Sequence, residues 1–215
     1  MIITISRQMG AGGGDVARRV AEELGWRVVD NELIDQIAAR AGLTPEEVAE
    51  KEESAPGFLE RLLRFLSKAA PEILKAPADP VPELEEARLV RITEDVVEDV
   101  AAEGRVVLVG RAAPAVLSRE REALHVKIVA LKPLRVEAVA RRLTLSRAEA
   151  ETAVSQSDAN RKRYHRQYYR RDWDDAANYH MVLNTGALGV DGAVAIIVGR
   201  AKGLWPAETK ERRSH

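Results

Sequence analysis

Cysteine is absent from all 215 residues, which excludes disulfide frameworks, thiolate catalysis and cysteine-based zinc sites together. Long hydrophobic runs are absent too. The longest, Ala193–Val198, falls far short of the roughly 18 residues a membrane span needs. The opening segment, Met1-Ile-Ile-Thr-Ile-Ser-Arg7, holds neither a basic stretch nor an apolar segment of leader length, so the expectation is no signal peptide, no membrane and a cytoplasmic location. No charge of one sign prevails: 33 basic side chains stand against 34 acidic ones, a net charge of −1 that argues against a protein coating nucleic acid with its whole surface. His125, His165, His180 and His215 lack metal-ligand spacing, and Asp174-Asp175 lack partners for a metal. Apolar residues are plentiful at 46%, enough to fill a core and exclude a disordered chain. The length suits one domain, or one domain carrying a sizeable insertion.

The charges are balanced but segregated. Residues 83–103 hold eight acids against Arg88 and Arg91, while 161–171, RKRYHRQYYRR, hold six basic side chains and no acid. Such runs are usually solvated helix faces, although basic residues mixed with tyrosines also suit single-stranded RNA.

Along the chain, Ile2–Ser6 reads as a buried strand opening directly into Gly10-Ala-Gly-Gly-Gly14. Val16, Val20, Ala21 and Leu24 then recur at helical spacing, Gly25 ends the helix, and Trp26–Val29 reads as a second strand. Strand, glycine turn, helix and strand form a βαβ opening, which predicts an α/β fold with a parallel sheet flanked by helices. Residues 32–75 read as successive helices with an apolar stripe through Phe58, Leu59, Leu62, Leu63, Phe65 and Leu66. Three prolines between Ala76 and Pro82 impose a bend. Further on, the pattern predicts helix over Glu83–Glu103 and strands over Val106–Val109 and Leu124–Leu131. Helices follow over Pro133–Leu143 and Arg147–Arg171, then a strand over Tyr179–Leu183 and a last helix over Val190–Lys202, with a polar, frayed tail beyond. No internal repeat or low-complexity tract is present.

The glycine turn is the principal chemical signal. A strand ending in glycines that feed a helix N-terminus aims several backbone N–H groups at one spot, where the helix dipole adds positive charge; the site suits phosphate. It is not the standard phosphate-loop pattern G-x-x-x-x-G-K-[ST]. Arg7 takes the place of the first glycine, Gly13 that of the lysine, and Asp15 stands in for the hydroxyl residue. A site short of that lysine needs cations from elsewhere, with Arg7, Arg111, Arg135, Arg141, Arg142, Arg161 and Arg163 as candidates.

The segments Ile3-Thr-Ile-Ser-Arg-Gln-Met-Gly-Ala-Gly-Gly-Gly-Asp-Val-Ala17, Glu22–Ile34, Val107-Leu-Val-Gly-Arg111, Asp172-Trp-Asp-Asp175 and Asn178–Gly189 resemble the cytidylate kinase-like family. These are relatives of cytidylate kinases whose S-R-x-x-G-x-G-G loop lacks the lysine. The resemblance covers most of the chain and is least specific over 54–100. It implies a nucleoside monophosphate kinase-like P-loop NTPase fold in a single domain. Its core would be 1–53 and 101–204, with a helical insertion at about 54–100 and an arginine-rich lid at about 144–172. It further implies ATP and Mg²⁺ as cofactors and a small-molecule nucleotide acceptor, CMP first. Gly10, Ala11, Gly12, Gly13 and Gly14 would wrap the donor phosphates, Arg7 would replace the lysine as a charge, and Asp15 would reach Mg²⁺ as a carboxylate. Asp30 matches an acidic position near the acceptor, and Arg111 the Gly-Arg that holds the acceptor phosphate or base. Asp158 and Arg161 resemble the lid's D-x-x-R, in which the acid orients the guanidinium; Arg142 and Arg161 would act on the transferred group.

Two other readings stand beside this one. The missing lysine, Asp15 in the phosphate cradle and the lack of an acid at the end of Val106–Val109 suit a nucleotide-binding regulatory protein without catalysis. The run 161–171 suits an RNA-binding module, the weakest of the three. The apolar stripe of 54–100 serves either an acceptor pocket or a homodimer surface.

Overall fold

The computed structural model describes residues 1–30, 39–40, 42 and 82–206. The helices expected over 32–75 fall almost wholly outside those residues; the Phe58–Leu66 stripe, the bend before Pro82 and most of the tail do as well. Contacts divide the chain into two compact units, Met1–Asn31 with Val97–His215 and, separately, Glu32–Val96. The sheet and the candidate site both lie in the first.

Strands β1 (Ile2–Arg7), β2 (Arg27–Val29), β3 (Val106–Val109), β4 (Ala123–Val129) and β5 (Met181–Asn184) form one sheet in the order β2-β3-β1-β4-β5. Every neighbouring pair is parallel, so each return needs a crossover, and helices supply most of them. The described helices are α1 (Gly13–Leu24), α2 (Pro82–Ala102), α3 (Ala113–Val116), α4 (Lys132–Leu143), α5 (Arg147–Tyr169) and α6 (Thr185–Leu204). Central β1 has Ile5 in register with Val109 on one side and Val126 on the other.

Alternation along the strands gives the sheet two chemically different faces. On one face Ile3, Ile5, Val107, Val109, Leu124, Val126 and Ile128 pack against Val16, Ala17, Val20 and Ala21 of α1 and Val194, Ile197 and Val198 of α6. The other carries Thr4, Ser6, His125 and Lys127, all buried and polar. Thr4 Oγ1 lies 2.8 Å from His125 Nδ1, and Ser6 Oγ accepts the Trp173 indole N–H at 2.9 Å. The Lys127 ammonium sits 3.9 Å from the centre of the Trp173 ring and donates to Asp174 at 2.8 Å. Burial pulls this ammonium below its ordinary range, against the opposing pull of Asp174. Trp173 is therefore a packing anchor, as its place in Asp172-Trp-Asp-Asp suggests.

Local signals set most boundaries. Gly25 is left-handed and closes α1, and Ser146 and Glu149 form a reciprocal capping box that starts α5. Three expectations shift. β4 stops at Val129 rather than Leu131, because the Ala130 N–H donates to the Gln8 side chain and Leu131 becomes the residue before α4, with Pro133 in its first turn. β5 begins at Met181, after a 3₁₀ turn at Ala176–Asn178. The last helix starts at Thr185, capped by the Asn184 side chain, and kinks at Gly189, where the expected helix resumes.

Candidate functional site

The glycine loop leaves the carboxyl end of β1 and turns into α1, beside the carboxyl end of β3, where ligands bind in open α/β sheets. Gly10 and Gly12 both have positive φ, and α1 has no side-chain cap, leaving its first-turn N–H groups available to an anion. A β-carbon on Gly10 would lie 2.5 Å from the Arg135 carbonyl oxygen, so α4 packs on the loop backbone itself.

Arg7 ends β1, and its side chain threads between two glycines. A β-carbon on Gly13 would overlap Arg7 Cβ and lie 3.0 Å from its Cγ. One on Gly110 would overlap Arg7 Nη1 and lie 3.2 Å from Cζ. The guanidinium then donates to Asp30 Oδ1 at 3.3 Å, with the Arg7 side chain 25% exposed. Asp30 is thus paired with Arg7 while its carboxylate stays 39% exposed. Gly14, by contrast, has open space where a β-carbon would stand.

Arg111 follows β3 in a strained turn: Gly110, Arg111 and Ala112 are successively left-handed, with φ of 78°, 50° and 49°. Such strain in non-glycine residues persists only where the surroundings over-determine it. Here the Gly110 N–H donates to the Ile5 carbonyl and the Ala113 N–H to the Gly110 carbonyl. Burial, then the nearby charge of Arg7, pushes the Arg111 guanidinium down to about 10, while Asp30 and Tyr164 pull it up and Arg161 pushes it further down. Arg7, Arg111 and Arg161 therefore share one electrostatic neighbourhood with Asp30 and Tyr164. Burial also raises the Tyr164 phenol, its neighbour Tyr169 adding to the rise.

Asp158 on α5 has an additional task that the local D-x-x-R pattern does not reveal. Its Oδ2 accepts from Arg135 Nη1 at 2.7 Å, its Oδ1 from the Met9 N–H at 3.3 Å, and Arg161 stands farther off at 3.8 Å. Arg135 also donates to the Met9 carbonyl at 3.1 Å and the Ala130 carbonyl at 3.0 Å. One ion pair thereby joins the phosphate loop to α4 and α5. Arg161 is held by the Ser157 hydroxyl at 2.6 Å.

Asp15 is exposed and bonded to Arg18 at 2.6 Å. Counted in register from Arg7, the hydroxyl position of the standard pattern is Gly14, so Asp15 stands one residue beyond it. Arg142 is exposed in the last turn of α4, where a cation complements the helix dipole. No group of three potential metal-ligating side chains occurs among the described residues.

Three anchors escaped the sequence reading. The Gln8 side chain accepts from Ala130, and Thr185 Oγ1 reaches the Ala11 carbonyl at 2.7 Å. Arg171 ties the end of α5 to Asn178 and to the Pro114 carbonyl just after the Arg111 turn. For Gln8 and Thr185 the available signal was position, each a polar residue just past the end of a strand, while Arg171 follows helix α5 and carried no such signal.

A family model described as the cytidylate kinase-like family matches residues 2–187. A cytidylate kinase of Methanothrix thermoacetophila is 24% identical over 205 residues, covering 95% of this chain and 99% of that protein. One of Archaeoglobus fulgidus is 27% identical over 203 residues, covering 92% and 93%. Among solved structures, an uncharacterized protein from Eubacterium ventriosum has a TM-score of 0.67 at 20% identity, covering 94% of this chain and 98% of the other. A shikimate kinase from Bacteroides thetaiotaomicron has a TM-score of 0.51 at 15% identity, covering 95% and 97%. The shared feature at these identities is the fold, a parallel sheet flanked by helices in the P-loop kinase manner.

Proposed function

Because the chain belongs to the cytidylate kinase-like family through residues 2–187, we propose that it is an ATP-dependent phosphotransferase acting on a nucleoside monophosphate, CMP first among the candidates. The observation that carries this reading is the course of the Arg7 side chain, which passes Gly13 at the uncapped start of α1 and brings its guanidinium to Gly110, next to Arg111. Phosphoryl transfer asks a protein mainly for positioning and for neutralisation of charge on the transferred group. The acceptor's phosphate oxygen forms a bond to the γ-phosphorus as the bond from that phosphorus to the β-γ bridging oxygen breaks, and ADP leaves. The N–H groups of the loop from Gly10 to Gly14 hold the donor phosphates, Arg7 stands on the transferred group, and Arg111 holds the acceptor phosphate. Asp15, exposed and paired with Arg18, is the carboxylate that would hold Mg²⁺ once that pairing is given up, since Mg²⁺ commonly takes one or two protein carboxylates; the ion would supply charge neutralisation on the nucleotide phosphates. Arg161, on α5, adds charge from the lid, whose closure excludes water as a competing acceptor. In this reading the chain is one kinase domain, with a helical insertion at about 54–100 and a lid at about 144–172.

The test is ADP release from Mg·ATP against a panel of nucleoside monophosphates and nucleosides, with no-acceptor and no-enzyme controls. Acceptor-dependent turnover is the expected result. ATP binding by calorimetry without turnover on any acceptor would instead favour the regulatory reading, for which the missing lysine and the Arg7–Asp30 pairing speak. The RNA reading keeps a surface to act through: within 161–171 the side chains of Lys162, Arg163, Arg166 and Arg170 are exposed, although His165 is buried, Lys162 pairs with Asp174, and Arg171 bonds Asn178 and the Pro114 carbonyl. RNA binding through it predicts affinity falling steeply between about 50 and 200 mM salt; a flat response eliminates it.

A further inference from the structure

We infer that Arg7 and Gly13 are one reciprocal exchange: the loop's cation is delivered from the end of β1, and its stem fills the volume that a side chain at position 13 would need. This rests on the kinase reading and adds to it why the lysine position is empty. Four observations carry the inference.

Gly13 opens α1 without positive φ, so its backbone conformation is one any residue adopts. Glycine is a poorer helix former than alanine, and its presence there needs another reason. That reason is contact. The missing β-carbon would overlap Arg7 Cβ and lie 3.0 Å and 3.6 Å from Cγ and Cδ, too close for any side chain, lysine included.

Gly14, the next residue of the same helical turn, meets nothing within 4 Å, so the crowding belongs to position 13 alone. Farther along the same side chain, the guanidinium occupies the space above Gly110, and Arg111 feels its charge. The stem is thus enclosed between two glycines, and its charge emerges beside the Gly110-Arg111 turn, at the mouth of the glycine loop. A lysine at position 13 and an arginine at position 7 are mutually exclusive; the two departures from the standard pattern are one departure.

A double-mutant cycle on the full chain tests this without reference to activity. The variants are Gly13→Ala, Gly14→Ala, Arg7→Gly and Arg7→Gly with Gly13→Ala. Glycine is used at position 7 because alanine would keep the β-carbon that collides.

Gly13→Ala is expected to lower Tm by several degrees, the usual consequence of overpacking, and Gly14→Ala not to lower it. In the Arg7→Gly background the Gly13→Ala loss should vanish, because sites in contact couple. An equal loss in both backgrounds would overturn the inference. So would a Gly13→Ala variant as stable as the parent.

Turnover supplies the second arm. Arg7→Gly should lose on the order of 10²–10³-fold. Arg7→Gly with Gly13→Lys, which restores G-x-x-x-x-G-K, should recover at least tenfold over Arg7→Gly, while Gly13→Lys alone should not exceed the parent. A double variant that folds and binds ATP but is no more active than Arg7→Gly overturns the exchange of roles. If the parent turns over no acceptor, the kinase reading fails; the melting cycle still decides the steric relation.

Discussion

Arg135 donates to Asp158 across 2.7 Å, and both side chains are almost wholly withdrawn from solvent at 7% and 14% exposure. The two residues belong to different helices, yet each also holds Met9: Asp158 takes its N–H and Arg135 its carbonyl. The entry to the phosphate loop is therefore clamped on both backbone groups by a single ion pair.

Removing one partner should expose the cost of leaving the other buried. Asp158→Ala is expected to lose about 3–5 kcal/mol of unfolding free energy, whereas Arg135→Met with Asp158→Leu should recover most of that loss. Urea unfolding of the parent, single and double variants reads both values. A single variant as stable as the parent would show that the clamp bears no load.

Arg7→Ala should cut turnover on the order of 10²–10³-fold, the usual consequence of losing one preorganised charge donor. ATP affinity, measured by calorimetry on the same sample, should change much less, because the loop N–H groups remain. Near-normal turnover would mean that another cation replaces the lysine.

Arg111→Ala should chiefly weaken the acceptor. Arg111 is partly buried, feels the charge of Arg7, and sits in a strained turn at the end of β3 rather than in the glycine loop. The acceptor KM should rise with little change in ATP affinity. An effect confined to ATP would reverse the assignment.

Two buried histidines, His125 on β4 and His165 on α5, predict acid sensitivity. Burial, then the neighbouring His180, pushes His125 down to about 4; burial, then Arg171, Lys127 and Arg161, does the same to His165. Both fold as neutral rings from an ordinary value of 6.5, so the unfolded chain binds more protons and stability rises with pH. Their contribution is complete above about pH 6.5 and is lost as pH falls from there towards 4, on the order of 3 kcal/mol for each ring. Unfolding at pH 7.5, 5.5 and 4.5 checks this. His125→Gln with His165→Gln should flatten the slope, and a parent equally stable at pH 7.5 and 4.5 would sink the prediction.

Among the described residues, the five strands and the long helices were legible in the sequence in their order, because local physics writes those signals within a few residues. The apolar quartet Val106–Val109 is a strand buried on both faces, Gly25 closes a helix that begins at a glycine turn, and Ser146 with Glu149 caps another. The phosphate loop, its missing lysine and the Gly-Arg after β3 were legible for the same reason, and the resemblance to one family rested on them. Tertiary structure alone decided where the charges point. Arg7 is separated from Asp30 by 23 residues, and Asp158 from Met9 by 149. No helical or strand period reports on such pairs. The D-x-x-R spacing drew attention to Asp158 and Arg161 as a local couple, yet Arg135 lies a full ångström closer to that carboxylate. Lys127, from sequence just one more residue of a strand, proves to be the cation beneath Trp173. Spacing along a chain fixes which face a side chain lies on, but its partner depends on which strands the fold makes neighbours, and β1 acquires both of its neighbours, β3 and β4, from far down the chain.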